Sequence, residues 1–275
     1  MNSRFSRIVR ACAALLILPN INSGRAQAPA LPQFLPGETL SYDVQWSIFT
    51  AGSVVATLVD SGQGALPSKI TTTARSQGFA SLLFKVQDTF DSFFDPQTLC
   101  STRIAKRINE NSRHKEINIA FDAQRGVALR DERDVNSPNV SPRHAENKIP
   151  ACTVDIVTAF YFLRRHDLHV GRDIHLTLND GGESHDVTVE VQARESIQTA
   201  LGNRMAFRLE PKIFGTLYKK RGRLLVWLSD DDQRLPLRLK MTISVGTFTG
   251  DLKSVTALPA IRPAAHLHGE NPSGR

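Results

Sequence analysis

Few residues in this sequence have the types and spacing that chemistry uses. Asp230, Asp231 and Asp232 set three carboxylates in a row. Loop carboxylates hold calcium when oxygens alternate along the chain, as in D-x-D-x-D-G. That alternation is absent, and the run reads as a polar hairpin turn. His166 and His169 stand three apart, with His175 and His185 beyond them. Two histidines at that spacing can share a zinc ion, but the site needs a third and fourth ligand. Neither an HExxH motif nor a cysteine pair supplies them, so these read as solvated or helix-end histidines. Gly181-Gly182-Glu183-Ser184-His185 has the outward look of a hydrolase loop. It is not G-x-S-x-G, and it joins two strands rather than a strand to a helix. No Gly-rich phosphate loop and no nucleophile–base pair stands elsewhere. The expectation is a protein without metal, cofactor or catalytic residues.

Three other features point to contacts rather than catalysis. Lys219, Lys220, Arg221 and Arg223 form the densest basic run, a candidate contact loop for anionic head groups or acidic glycans. The same run also suits a solvated loop or the protection of an edge strand. Phe79, Leu82, Leu83 and Phe84 lie in an apolar stretch without strict alternation, a candidate lid over a β surface. Ordinary core plugging is the alternative. Cys100 and Cys152 form either a disulfide or two buried thiols, since sequence alone does not bring their Cα atoms within reach.

Behind these features stands a β pattern. Leu40, Tyr42, Val44, Trp46 and Ile48 alternate with polar residues, as in a half-buried antiparallel strand. Ala51-Gly52 reads as the turn that follows. Further strands are expected along the chain, with the longest alternation running from Leu235 to Val245. Residues 134–150, with three prolines, read as the longest irregular stretch. Ile156, Val157, Ala159, Phe160 and Leu163 share one helical face, which predicts a helix over 154–166. Thr153 or Asp155 can cap its start, and Arg164, Arg165 and His166 complement its dipole. Ten or more strands with turns every 8–12 residues predict a mostly β fold: an antiparallel barrel, half-barrel or sandwich with one packed helix.

The ends read differently. Arg4, Arg7 and Arg10 precede an apolar run from Ala11 to Leu18, followed by small residues up to Ala28. This is the layout of a secretory signal, expected over residues 1–26. The run is shorter than the roughly 20 residues that span a bilayer. Removing the four arginines of residues 1–26 leaves 30 basic against 27 acidic residues, a net charge of +3 instead of +7. That is no nucleic-acid footprint. A single β-rich domain is expected over 35–256, and residues 257–275 read as a disordered tail.

LPGETLSYDVQWSIFTAGS at 35–53, DIVTAFYFLR at 155–164 and LLVWLSDDDQRLPLRLKM at 224–241 are three landmarks in one order. In them the chain resembles the exported bacterial proteins grouped as domain of unknown function 3108. The resemblance implies a cell-envelope location and a β fold, and brings no catalytic residues. Together these readings favour an exported periplasmic binding or carrier protein for a lipid or other apolar ligand, not integral to the membrane. The alternatives are an interaction protein that binds an envelope protein or polysaccharide, and an envelope hydrolase.

Overall fold

The computed structural model describes residues 34, 35, 37–59, 68–181, 183–213 and 221–257. The expected signal segment, the tail beyond residue 257, Lys219 and Lys220 lie outside the described residues. Alternating sequence produces strands β1 (Thr39–Trp46), β2 (Phe49–Val59) and β3 (Ser68–Ser76), then a short helix α1 (Gly78–Leu83). Strands β4 (Gln87–Phe94), β5 (Ser101–Glu110), β6 (Arg113–Asp122), β7 (Val127–Asp134) and β8 (Arg143–Lys148) follow. Helix α2 (Thr158–Arg164) precedes β9 (Asp173–Asn179), β10 (Ser184–Thr199) and β11 (Gly202–Pro211). The last strands are β12 (Gly222–Ser229), β13 (Pro236–Ile243) and β14 (Gly246–Thr256).

The 14 strands among the described residues belong to one antiparallel sheet, in the order β8-β7-β6-β5-β4-β3-β2-β1-β14-β13-β12-β11-β10-β9. Every strand lies beside a sequence neighbour except at β1–β14, where the first and last strands pair. Short hairpin closures keep the entropic cost of each pairing small. The sheet curls but does not close, and β8 and β9 remain its edges. The segment between them runs inside. Thr153 accepts a hydrogen bond from the Ser101 backbone N–H, and Val154 bridges Leu178 in parallel, so this strap ties β5 to β9. A Cys100–Cys152 disulfide with Cα atoms 5.1 Å apart anchors the strap to the β4–β5 loop.

Helix α2 divides the interior. Ala159 and Leu163 pack against β9–β12, with Leu176, Val189, Leu209 and Val226. Val157 and Tyr161 pack against β2–β7, with Ile70, Phe94, Ile104 and Ile119. A third cluster, including Leu40, Trp227, Leu237 and Leu252, joins the two halves across β1 and β14.

Three expectations need correction. The first turn falls at Ser47–Ile48, where Ser47 takes φ 57°, and Ala51-Gly52 lies within β2. Gly52 is there because the backbone approaches closely: a Cβ would sit 2.1 Å from the Arg75 carbonyl oxygen. Residues 143–148 form β8, not irregular chain. This edge strand reads RHAENK and buries no apolar face, so the period-two signal is missing. The helix is shorter than 154–166, because Asp155 and its neighbours are spent on the strap and the cap.

Candidate functional site

The inner face of β1–β4 and β12–β14 does not fill. It leaves a cavity of about 390 Å³ between the sheet and α2. Its walls follow the period-two rule. Leu40, Tyr42 and Val44 of β1 face Ala56, Val54 and Gly52 of β2 in register, and Val54 and Ala56 face Ala74 and Thr72 of β3. On the other side Gly250 of β14 is opposite both Val44 and Leu239, and Phe248 is opposite Met241. The wall positions of β2, β3 and β14 therefore carry small side chains at Ala56, Thr72, Ala74 and Gly250. Phe248, Gly250 and Leu252 alternate toward the same face, and a Cβ built on Gly250 meets nothing within 4 Å. The space is hollow because these positions are small where their flanking positions are large.

The turn before α2, with Ile156 and Val157, and α2 itself, with Phe160 and Tyr161, floor the cavity. Two polar constructions hold that floor. At its start, Asp155 is wholly buried. Its Oδ1 accepts the backbone N–H groups of Val157 and Thr158 at 2.8 and 3.0 Å. Its Oδ2 accepts the hydroxyls of Ser92, Ser101 and Thr158 at 2.5, 2.7 and 3.0 Å. A serine–aspartate cluster of this kind, without histidine and without exposure, is a cap that docks the helix on β4 and β5. At the other end, the wholly buried Arg164 donates from both Nη atoms to the Glu38 carboxylate at 2.6 and 2.7 Å. It also donates to the Gln233 carbonyl at 3.1 and 3.3 Å, between the rings of Phe34 and Tyr161. The sequence assigned Arg164 to the helix dipole. It is instead the bolt that joins α2, the segment before β1 and the β12–β13 loop.

The lining is almost entirely apolar, and its few polar atoms are neutral. Burial raises the Tyr42 and Tyr161 phenols above their ordinary range, so both stay protonated. Tyr42 donates to the Pro236 carbonyl at 2.9 Å. Among the described residues, the buried Thr72 hydroxyl and Tyr161 phenol have no hydrogen-bond partner.

The other sequence candidates lie elsewhere. Phe79, Leu82, Leu83 and Phe84 are 61%, 81%, 55% and 50% exposed on and beside α1, and none of them lines the cavity. They stand at the rim of the sheet. Asp230 pairs with Arg194 and Arg234, and Asp231 accepts three hydrogen bonds that shape the β12–β13 loop. His166 bonds the Phe162 carbonyl, His169 pairs with Asp167, and His185 lies near Glu183. Arg221 is exposed. Arg223 is held by Glu210 at 2.7 Å.

Arg223, with Lys212 and Gln192, holds the Glu210 carboxyl down at about 2, well below its ordinary 4.5. A depressed folded-state pKa stabilises fully above the unfolded value, and that contribution is lost as pH falls through the folded value. Wild type should therefore lose stability between pH 4.5 and about 2 more steeply than Glu210→Gln, as measured by urea unfolding across that window.

The profile described as "Protein of unknown function (DUF3108)" matches residues 41–253. The chain belongs to the DUF3108 family. No curated protein matches it. Among solved structures, this DUF3108 chain is similar to a beta-barrel-like protein of domain of unknown function DUF1849 from Brucella abortus. The TM-score is 0.56 at 11% identity, over 83% of this chain and 100% of that one. The likeness concerns the fold alone. A protein with a YmcC-like fold from Bacteroides fragilis gives a TM-score of 0.37 at 8% identity, over 82% and 98% of the two chains.

Proposed function

We propose that the chain is an exported, non-catalytic binding protein that holds an apolar or amphipathic ligand, such as an acyl chain, in the cavity under α2. One observation carries this reading: a cavity of about 390 Å³ with apolar walls in a sheet whose inward positions are kept small. Ligand pockets run from about 300 to 1,000 Å³ and are mostly apolar. Energetics points the same way. An apolar guest seated here takes apolar lining out of water, which is favourable by roughly 25 cal/mol per Å² of surface covered.

Export is supported by the basic, apolar and small-residue layout of residues 1–26 and by the Cys100–Cys152 disulfide, which suits an oxidising compartment. No helix among the described residues is long and apolar enough to cross a membrane. The first test is uptake of a pyrene-labelled fatty acid. Saturation near one probe per chain, reversed by an unlabelled long-chain fatty acid, is the expected result. Absence of saturable uptake would remove the carrier reading.

A further inference from the structure

We infer that one turn-bearing edge of the sheet, at the ends of its strands rather than along β8 or β9, docks the protein on the surface of an anionic phospholipid bilayer. The inference goes beyond the cavity and stands whether or not a ligand fills it. Three neighbouring connections form this edge: the β1–β2 turn, the β3–β4 connection with α1, and the β13–β14 turn. Ser47 N–H donates to the Thr247 carbonyl at 2.8 Å and Gln77 N–H to the Ala51 carbonyl at 2.9 Å, so the three lie side by side.

Together they expose large apolar side chains. Ile48 and Phe49 are 86% and 56% exposed, and Val245 is 62% exposed. Between 50% and 81% of each of Phe79, Leu82, Leu83 and Phe84 is exposed on and beside α1. Single exposed apolar residues need no explanation, but a contiguous group marks an interaction site.

Charge decides the partner. The segments 45–52, 75–87 and 240–250 carry Arg75, Lys85 and Lys240 and no acidic residue, and the adjoining β5–β6 turn, bonded to Lys85 through Asn111, adds Glu110 already paired with Arg113, so the net charge here is positive. Arg75 and Lys85 line one shallow pocket with Ser81 and Gln87, at the foot of α1. Apolar side chains with a basic collar match the boundary between acyl chains and phosphate head groups. A second copy of the chain would bring this net positive charge against itself, which disfavours self-association. Val44, Met241 and Phe248 of the cavity wall lie within a few residues of this edge, so docking would bring the cavity toward the lipid.

The test is flotation with vesicles of phosphatidylglycerol and phosphatidylcholine, compared with phosphatidylcholine alone. Wild type should float with the anionic vesicles, and high salt should weaken the binding. Ile48→Asp/Leu82→Asp should lower vesicle affinity at least tenfold with an unchanged melting curve, since both side chains are exposed. Arg75→Glu/Lys85→Glu should remove the preference for anionic lipid. Gly250→Phe should float like wild type, which separates surface docking from lipid taken into the cavity. The inference is overturned if wild type does not float, or if the Ile48→Asp/Leu82→Asp protein floats equally well. A wild-type dimer that the same pair of substitutions turns into a monomer would also overturn it, by assigning the edge to self-association.

Discussion

Arg164→Met should destabilise the protein by about 3–5 kcal/mol, the range expected when one partner of a buried ion pair is removed. Methionine suits the surrounding rings in size and polarity, so packing is not the cause. Glu38 is 1% exposed, and without the guanidinium its carboxylate is buried with no counter-charge. The Gln233 carbonyl also loses its donors. The double variant Glu38→Leu/Arg164→Met removes both charges and should recover most of the loss. Urea unfolding of the four proteins with the disulfide intact measures the cycle. Equal stabilities for the single and double variants would mean that the pair is not the bolt described here. Because Arg164 fixes the last turn of α2, Arg164→Met should also weaken probe uptake through a loosened cavity floor.

The second large effect concerns binding. Gly250→Phe should reduce apolar-probe affinity at least tenfold, about 1.4 kcal/mol or more of binding free energy. Stability should hold or rise by up to about 1 kcal/mol, since glycine weakens a strand interior and phenylalanine favours it. The two effects have opposite signs for one reason. A Cβ at Gly250 meets open space, and Gly250 lines the cavity, so a ring carried there would occupy the space that a guest needs. Small residues kept where larger ones would stabilise are the mark of a functional void. If Gly250→Phe were stabler than wild type and bound probe equally well, the cavity would not be the binding site.

The fold was legible wherever one face of a strand is buried. Leu40, Tyr42 and Val44 announced β1, and the alternation from Leu235 to Val245 announced β13 but ran past its end at Ile243 into the turn. Strand β8 was hidden because an edge strand without an apolar face carries no such signal. Gly52 looked like a turn because a glycine in sequence does not say whether it serves a positive φ or a close backbone approach. The cavity was half legible. Small residues at Ala56, Ala74 and Gly250 are visible as single positions, but only the register shows that they surround one space. The Glu38–Arg164 bolt joins residues 126 apart, and nothing in the local pattern around either one signals the other. Asp155 was legible as a cap, whereas its bonds to Ser92 and Ser101 depend on the crossing strap.

Native mass spectrometry of protein purified without detergent shows whether the cavity under α2 holds an apolar guest. Wild type should carry the mass of one bound apolar molecule, released by organic extraction, and Gly250→Phe prepared in parallel should fly at the bare mass of the chain. Bare wild-type protein, with no saturable uptake of the fatty-acid probe, would contradict the account.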